Sequence, residues 1–118
     1  MEADNVLLAR RKTGGGAVYQ DYGNSIFTFI AKKENHDICK NFKIITQSLK
    51  KFGVEATCSG RNDVVVGEKK ISGSAFKNTI DRSLHHGTIL VDVNKDNVQK
   101  YLNVNKEKLK VRFISDYN

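Results

Sequence analysis

Proline and tryptophan are absent from the 118 residues, methionine occurs once and cysteine only twice. Two cysteines, Cys39 and Cys58, are too few for a disulfide framework and lack metal-ligand spacing, which argues against a disulfide-stapled fold and against a zinc module. Their number suits a reducing compartment. No apolar run approaches the ~18 residues of a membrane-spanning helix, so no membrane association is expected. The opening Met1-Glu2-Ala3-Asp4 is acidic and short, unlike a secretory or transit peptide. The expected location is therefore the cytoplasm, with a mitochondrion or another organelle as the alternative in a eukaryote. Low-complexity tracts, repeats and linkers are also lacking, and a single domain over 1–118 is expected.

What is present describes a globular chain with a cationic bias. Hydrophobic residues make up 39% and charged residues 28%. Lys and Arg number 20 against 13 Asp and Glu, a formal charge of +7 that favours anionic partners without choosing among them. Basic and aromatic residues come together only around Arg10-Arg11, Tyr19 and Tyr22, and no nucleic-acid recognition motif is visible, so no nucleic-acid partner is expected.

Hydrophobic periodicity outlines the elements. Val6 to Ala9 and Ala17 to Tyr19 read as short strands, the first of them buried, and Asp21 to Asn24 as a turn. Ser25 to Ala31 alternates as a strand, with Ile26, Thr28 and Ile30 on one face and Phe27 and Phe29 on the other. Both faces are largely apolar, which predicts cover on both sides. The period then changes: Ile38, Phe42, Ile45, Leu49 and Phe52 form one stripe of a helix over 37–52, ended by Gly53. Val54 to Thr57 and Ile89 to Val91 read as strands, and 96–102 as a short helix. Val64 to Val66 and Lys70 to Ser72 flank a hairpin turn at Gly67-Glu68-Lys69. The fold class is α+β, a mixed, mainly antiparallel sheet with one long packed helix.

Four segments carry chemistry beyond folding. In Arg10-Arg11-Lys12-Thr13-Gly14-Gly15-Gly16, glycines let backbone N–H groups approach phosphate oxygens while arginines supply planar donors; the same run also reads as a flexible turn, and it is not a Walker loop. In Ser59-Gly60-Arg61-Asn62-Asp63, Asn62 offers an amide and Asp63 a hard oxygen ligand, or the pair forms an ordinary turn. In Lys69-Lys70-Ile71-Ser72-Gly73-Ser74-Ala75, strand alternation sends Lys70 opposite to Lys69 and Ile71, with small residues leaving space beside it. In His85-His86-Gly87-Thr88, neighbouring side chains face opposite ways, which makes a poor chelating pair; one histidine contacts a ligand or packs in the core. Cys58 reads as a small buried residue rather than a nucleophile.

Taken in order, these segments resemble the lipoate–protein ligase family. The matching residues run from Ala9 through Arg11, Gly14, Gly15, Gly16 and Ala17 to Tyr19, with Asp21 and Gly23-Asn24. They continue through Ser59 to Asp63, Lys70 to Phe76 and His85 to Leu90. The resemblance spans roughly 5–109 and fades in the tail, 110–118. It implies a biotin/lipoate ligase domain related to class II synthetases. It further implies activation of lipoate with ATP and Mg²⁺ to lipoyl-AMP, and transfer of the lipoyl group to an acceptor-domain lysine. Acceptors implied are the lipoyl domains of 2-oxoacid dehydrogenase complexes and the glycine cleavage H protein.

Carried over, Arg11 and Gly14 to Ala17 wrap the lipoyl-adenylate. Asn62 and Asp63 lie near its phosphate, with Asp63 as the magnesium ligand. Lys70 is the catalytic residue at the reacting oxygens, Gly73 gives room, and His85 lines the same pocket. Val18, Tyr19 and Phe76 are candidates for the apolar slot. Gln20 departs from the histidine common in the family. Family domains are substantially longer, so a further domain or partner subunit, or a catalytically incomplete binding fragment, is the alternative expectation. A related octanoyl or lipoyl transferase, which uses a cysteine nucleophile, is the other.

Overall fold

The protein, examined as a computed structural model, is described over residues 4–60 and 63–102. Alternation and stripe positions translate into five strands and two helices. These are β1 (Asn24–Lys32), α1 (Ile38–Lys50), β2 (Thr57–Ser59), β3 (Asp63–Val66), β4 (Lys69–Asn78), β5 (Arg82–Leu90) and α2 (Lys95–Tyr101). The strands form one sheet in the order β1-β5-β4-β3-β2, and every neighbouring pair is antiparallel.

Helix α1 starts where Asp37 accepts a hydrogen bond from the Lys40 amide and stops one turn before Gly53. The middle of its stripe, Phe42, Ile45 and Leu49, packs on Val54, Val64 and Ile71 to make the core. Phe27, Phe29 and Ile89 pack against the same cluster from the sheet. A register shift between Val64 and Val65 lets Ile71 and Ser72 both turn inward, and both are buried.

Several expectations give way. Val6 to Ala9 and Ala17 to Tyr19 are irregular, because neither run has a strand beside it to complete its backbone hydrogen bonds; Leu7 and Leu8 lie exposed. Strand β1 alternates as expected but is covered on one side only. Phe27 and Phe29 face the core, whereas Ile26 and Ile30 are 60% and 66% exposed. The helix stripe is buried at its centre, with Phe52 exposed beyond the last turn. Val54 is buried without being in a strand, β2 starting only at Thr57. Ile89 to Val91 proves to be the tail of the much longer β5. Cys58 is exposed, since β2 is the outermost strand of the sheet. The divergent tail 110–118 lies outside the described residues.

Candidate active site

One face of the sheet carries α1; the other holds the polar segments singled out by sequence. Register assigns the sides. His85 pairs with Phe29 and Phe76, and Ser83 and Gly87 share its face, whereas His86 pairs with Thr28 and Ala75 on the open face. Alternation then puts Ile26, Ile30, Leu84, Thr88 and Gly73 on that open face too.

Lys70 points the same way. It pairs with Val65, next to buried Ile71, and its Nζ lies 3.1 Å from Asp63 Oδ1. A Cβ at Gly73 would sit 3.6 Å from the Lys70 Cε and Nζ, an ordinary contact distance, so the ammonium end lies directly over Gly73. Hairpin alternation therefore read the facing of Lys70 correctly. Asn62 and Arg61 lie outside the described residues.

The glycine-rich segment meets the open face at Thr13. Arg11 folds back and donates from Nε and Nη2 to the Gly14 carbonyl at 3.2 and 2.9 Å. Gly15 adopts φ +117°, and any side chain there would run into the Arg11 guanidinium. The backbone angle is what calls for glycine here, since the guanidinium is the free end of a flexible side chain and could swing aside. Thr13 Oγ1 lies 2.6 Å from His86 Nε2, which brings the loop to β5. Gly14, Gly16 and Ala17 are exposed.

Beyond the loop the chain is pinned near α2. Asp21 accepts from the amides of Gly23 (2.7 Å) and Asn94 (3.0 Å). Tyr19 accepts from Asn97 Nδ2 and stacks on Tyr101 with ring centroids 5.9 Å apart. Asn24 donates to the Tyr19 carbonyl, and its Oδ1 is buried without a hydrogen-bond partner.

Two placements correct the sequence reading. His85 does not line the open face; it is fully buried on the helix side, ringed by Phe27, Phe29, Phe42 and Phe76. The Asn41 amide donates to Nδ1 at 3.2 Å, which leaves the proton on Nε2 to donate to Ser74 Oγ at 2.9 Å. Burial, with His36 and His86 adding lesser repulsion, pushes the His85 pKa down to about 4, so the ring is neutral. Phe76 likewise stacks on His85, 4.4 Å between centroids, and is no part of an open slot. Sequence singled out the segments that hold Thr13 and His86 without naming these two as site residues, and it missed the apolar trio Ile26, Ile30 and Leu84 as part of a site. The alternation of β5 was a usable signal, but its core-facing row, Ser83, His85 and Gly87, is not apolar, so nothing local told the two faces apart.

The chemistry of the donor set bears on magnesium. Among the described residues no group of three His, Cys, Asp or Glu side chains is placed to hold a metal. Asp63 offers one carboxylate, which suits an ion held mainly by phosphate oxygens and water rather than a protein cage. Cys58 does not suit nucleophilic chemistry: desolvation first, and Cys39 second, push its thiol up and away from thiolate.

An ammonium–carboxylate pair and the anchor point of a glycine-rich loop thus lie on one open sheet face of an α+β domain. Sequence comparison gives the class its name. The lipoyl protein ligase A/B catalytic domain family matches residues 1–117, and the chain belongs to that family. It is 57% identical over 114 residues to lipoate-protein ligase A of Psychrobacter cryohalolentis, covering 97% of this chain and 34% of that protein. Among solved structures, Plasmodium falciparum LipL1 in complex with lipoate superposes with a TM-score of 0.87 at 46% identity, over 99% of this chain and 33% of that one. A lipoate-protein ligase A bound with ATP gives 0.86 at 30% identity, over 99% and 53%. A bi-partite lipoate protein ligase, studied with its E2 lipoyl domain, from Thermoplasma acidophilum gives 0.83 at 31%, over 99% and 52%. The chain thus spans between about a third and about half of the length of these relatives.

Proposed function

We propose that this chain is the lipoate-activating part of a lipoate–protein ligase, forming lipoyl-AMP from lipoate and MgATP and passing the lipoyl group to an acceptor lysine. The observation that carries it is the Lys70–Asp63 pair beside Gly73 on the open face, the face that the Arg11–Ala17 loop meets at His86. The lipoate carboxylate attacks the α-phosphorus of ATP and pyrophosphate leaves; the acceptor amine then attacks the carbonyl and AMP leaves. Two anions must meet in the first step. Lys70 is a compact cation on a flexible stem, suited to offset their repulsion and the developing charge. Its Asp63 partner holds the ammonium in place and is the chain's candidate contact for magnesium, which when bound would neutralise triphosphate charge. The apolar acyl body fits the open-face residues Ile26, Ile30 and Leu84, with Ala75 and Gly73 keeping the floor low. Backbone N–H groups of Gly14 to Ala17, and Asn62, are assigned to the adenylate, and the loop to shielding the mixed anhydride from water.

The partner assigned is a lipoyl domain of a 2-oxoacid dehydrogenase complex or the glycine cleavage H protein, with the +7 charge favouring an acidic acceptor surface. The compartment assigned is the cytoplasm; two free cysteines suit a reducing environment. The share of its relatives that the chain spans favours a second reading, in which it binds ligand but turns over only with further polypeptide. Lipoate-dependent exchange of labelled pyrophosphate into ATP separates the two. Exchange that Lys70→Ala lowers by about 100-fold or more supports activation by this chain. Binding of lipoate without exchange supports the second reading.

A further inference from the structure

The two adjacent histidines of β5 have opposite surroundings. His85 is sealed in the core, whereas His86 is half-buried on the open face between Thr28 and Ala75 and meets Thr13 of the glycine-rich loop. Thr13 and His86 are 73 residues apart in sequence. The bonds that Arg11 makes to the Gly14 carbonyl are internal to the loop and shape it as a turn. The Thr13–His86 bond does something different: it ties that turn to the strand whose neighbour carries Lys70.

The bond is suited to opening and closing. Both partners are half-buried, so water can take over their hydrogen bonds when the loop lifts, and the net cost of opening is small. The exposed glycines on its far side offer no side chain to pack the loop down. We propose that His86 is a positioning residue that latches the glycine-rich loop over the open face through Thr13. Its hydrogen bond sets how long the loop stays down. What the latch retains rests on the ligase reading, where it is the water-sensitive lipoyl-adenylate; the latch itself is a property of the chain without ligand.

The loop carries its own reporter. Arg10, Arg11 and Lys12 stand directly before Thr13; two of them are exposed even with the latch closed, but trypsin must draw several residues around a bond out of the fold, so cleavage there reports how often the segment lifts. The test is limited trypsin digestion of the ligand-free chain, with cleavage after Arg10, Arg11 and Lys12 followed by mass spectrometry. Thr13→Val and His86→Phe each remove the bond while keeping shape, and each is expected to raise that cleavage rate about fivefold, the factor a hydrogen bond's net worth gives. The double variant should cleave no faster than either single one, because the bond is already gone. Thr13→Ser, which keeps the hydroxyl, should cleave like the parent. An unchanged rate in Thr13→Val, or effects that multiply in the double variant, would overturn the latch. Thr13→Val alone decides the matter if His86→Phe fails to fold. Pyrophosphate exchange tests the ligase reading separately, so either can fail without the other.

Discussion

His85 shows how one buried side chain makes stability depend on pH. Its ring accepts from Asn41 and donates to Ser74, and four phenylalanines surround it, so the fold holds the neutral form. A pKa near 4 in the fold, against 6.5 for a free histidine, means the unfolded chain takes the proton first as pH falls. This residue's contribution is therefore whole above about pH 6.5 and declines toward pH 4, by about 3 kcal/mol. Urea midpoints measured from pH 7 to 4.5 should fall in the parent and fall less in His85→Gln. Parallel curves would show that His85 is not the group responsible. Sequence alone established that His85 and His86 face apart, since adjacent strand residues must. It did not establish which one faces the core, because a histidine becomes a core residue only when partners from α1 and β4 satisfy both nitrogens.

At the scale of elements, periodicity was legible wherever one face meets the core. β1 and α1 carry such a pattern and are found close to their expected limits, whereas the hairpin turn is where it was expected but β4 runs on to Asn78, well past the expected Ser72. The failures share a cause. Val6 to Ala9 and Ala17 to Tyr19 are apolar but have no strand beside them, and the first half of β5 has Leu84 as its one apolar residue yet is paired on both edges. Strand identity there comes from neighbours, which local composition does not encode. Helix α1 is the opposite case, because its start is a local device. Asp37 accepts from the Lys40 amide at 3.1 Å, so Asp37→Ala should cost about 1 kcal/mol in chemical denaturation, while exposed Lys40→Ala should stay within about 0.5. Equal effects from both would mean the cap contributes nothing.

The molecule as a whole is lopsided, with α1 packed on one sheet face and apolar residues left on the other. Ile26 and Ile30 stand exposed on β1, which is also an edge strand whose stretch Ser25 to Ala31 bears no charge. Natural sheets usually blunt such edges. The isolated chain should therefore self-associate as concentration rises, and Ile26→Thr with Ile30→Thr should shift sedimentation velocity profiles toward monomer. A parent that stays monomeric across the same range would refute this. Much of the candidate site could be read from motifs, Lys70 with its facing and the loop glycines among them. The apolar floor could not, because it is assembled from β1, β4 and β5 and no single segment displays it.

The segment before β1 reaches far along the chain for its partners. Asp4 bonds Tyr101 and Lys100, Thr13 bonds His86, Tyr19 bonds Asn97, Asp21 bonds the Asn94 amide, and the Gly23 carbonyl accepts from Val91 and Asp92. Closing such long loops costs chain entropy before any contact repays it, whereas the β3–β4 and β4–β5 hairpins form locally. The order of assembly follows: the two hairpins first, then β1, which must also reach β5 far along the chain, together with the amino-terminal strap. A newly made chain would close its β3–β4 hairpin before it completed its candidate site, and a ribosome still holding residues 86–101 would hold back β1 and the loop together.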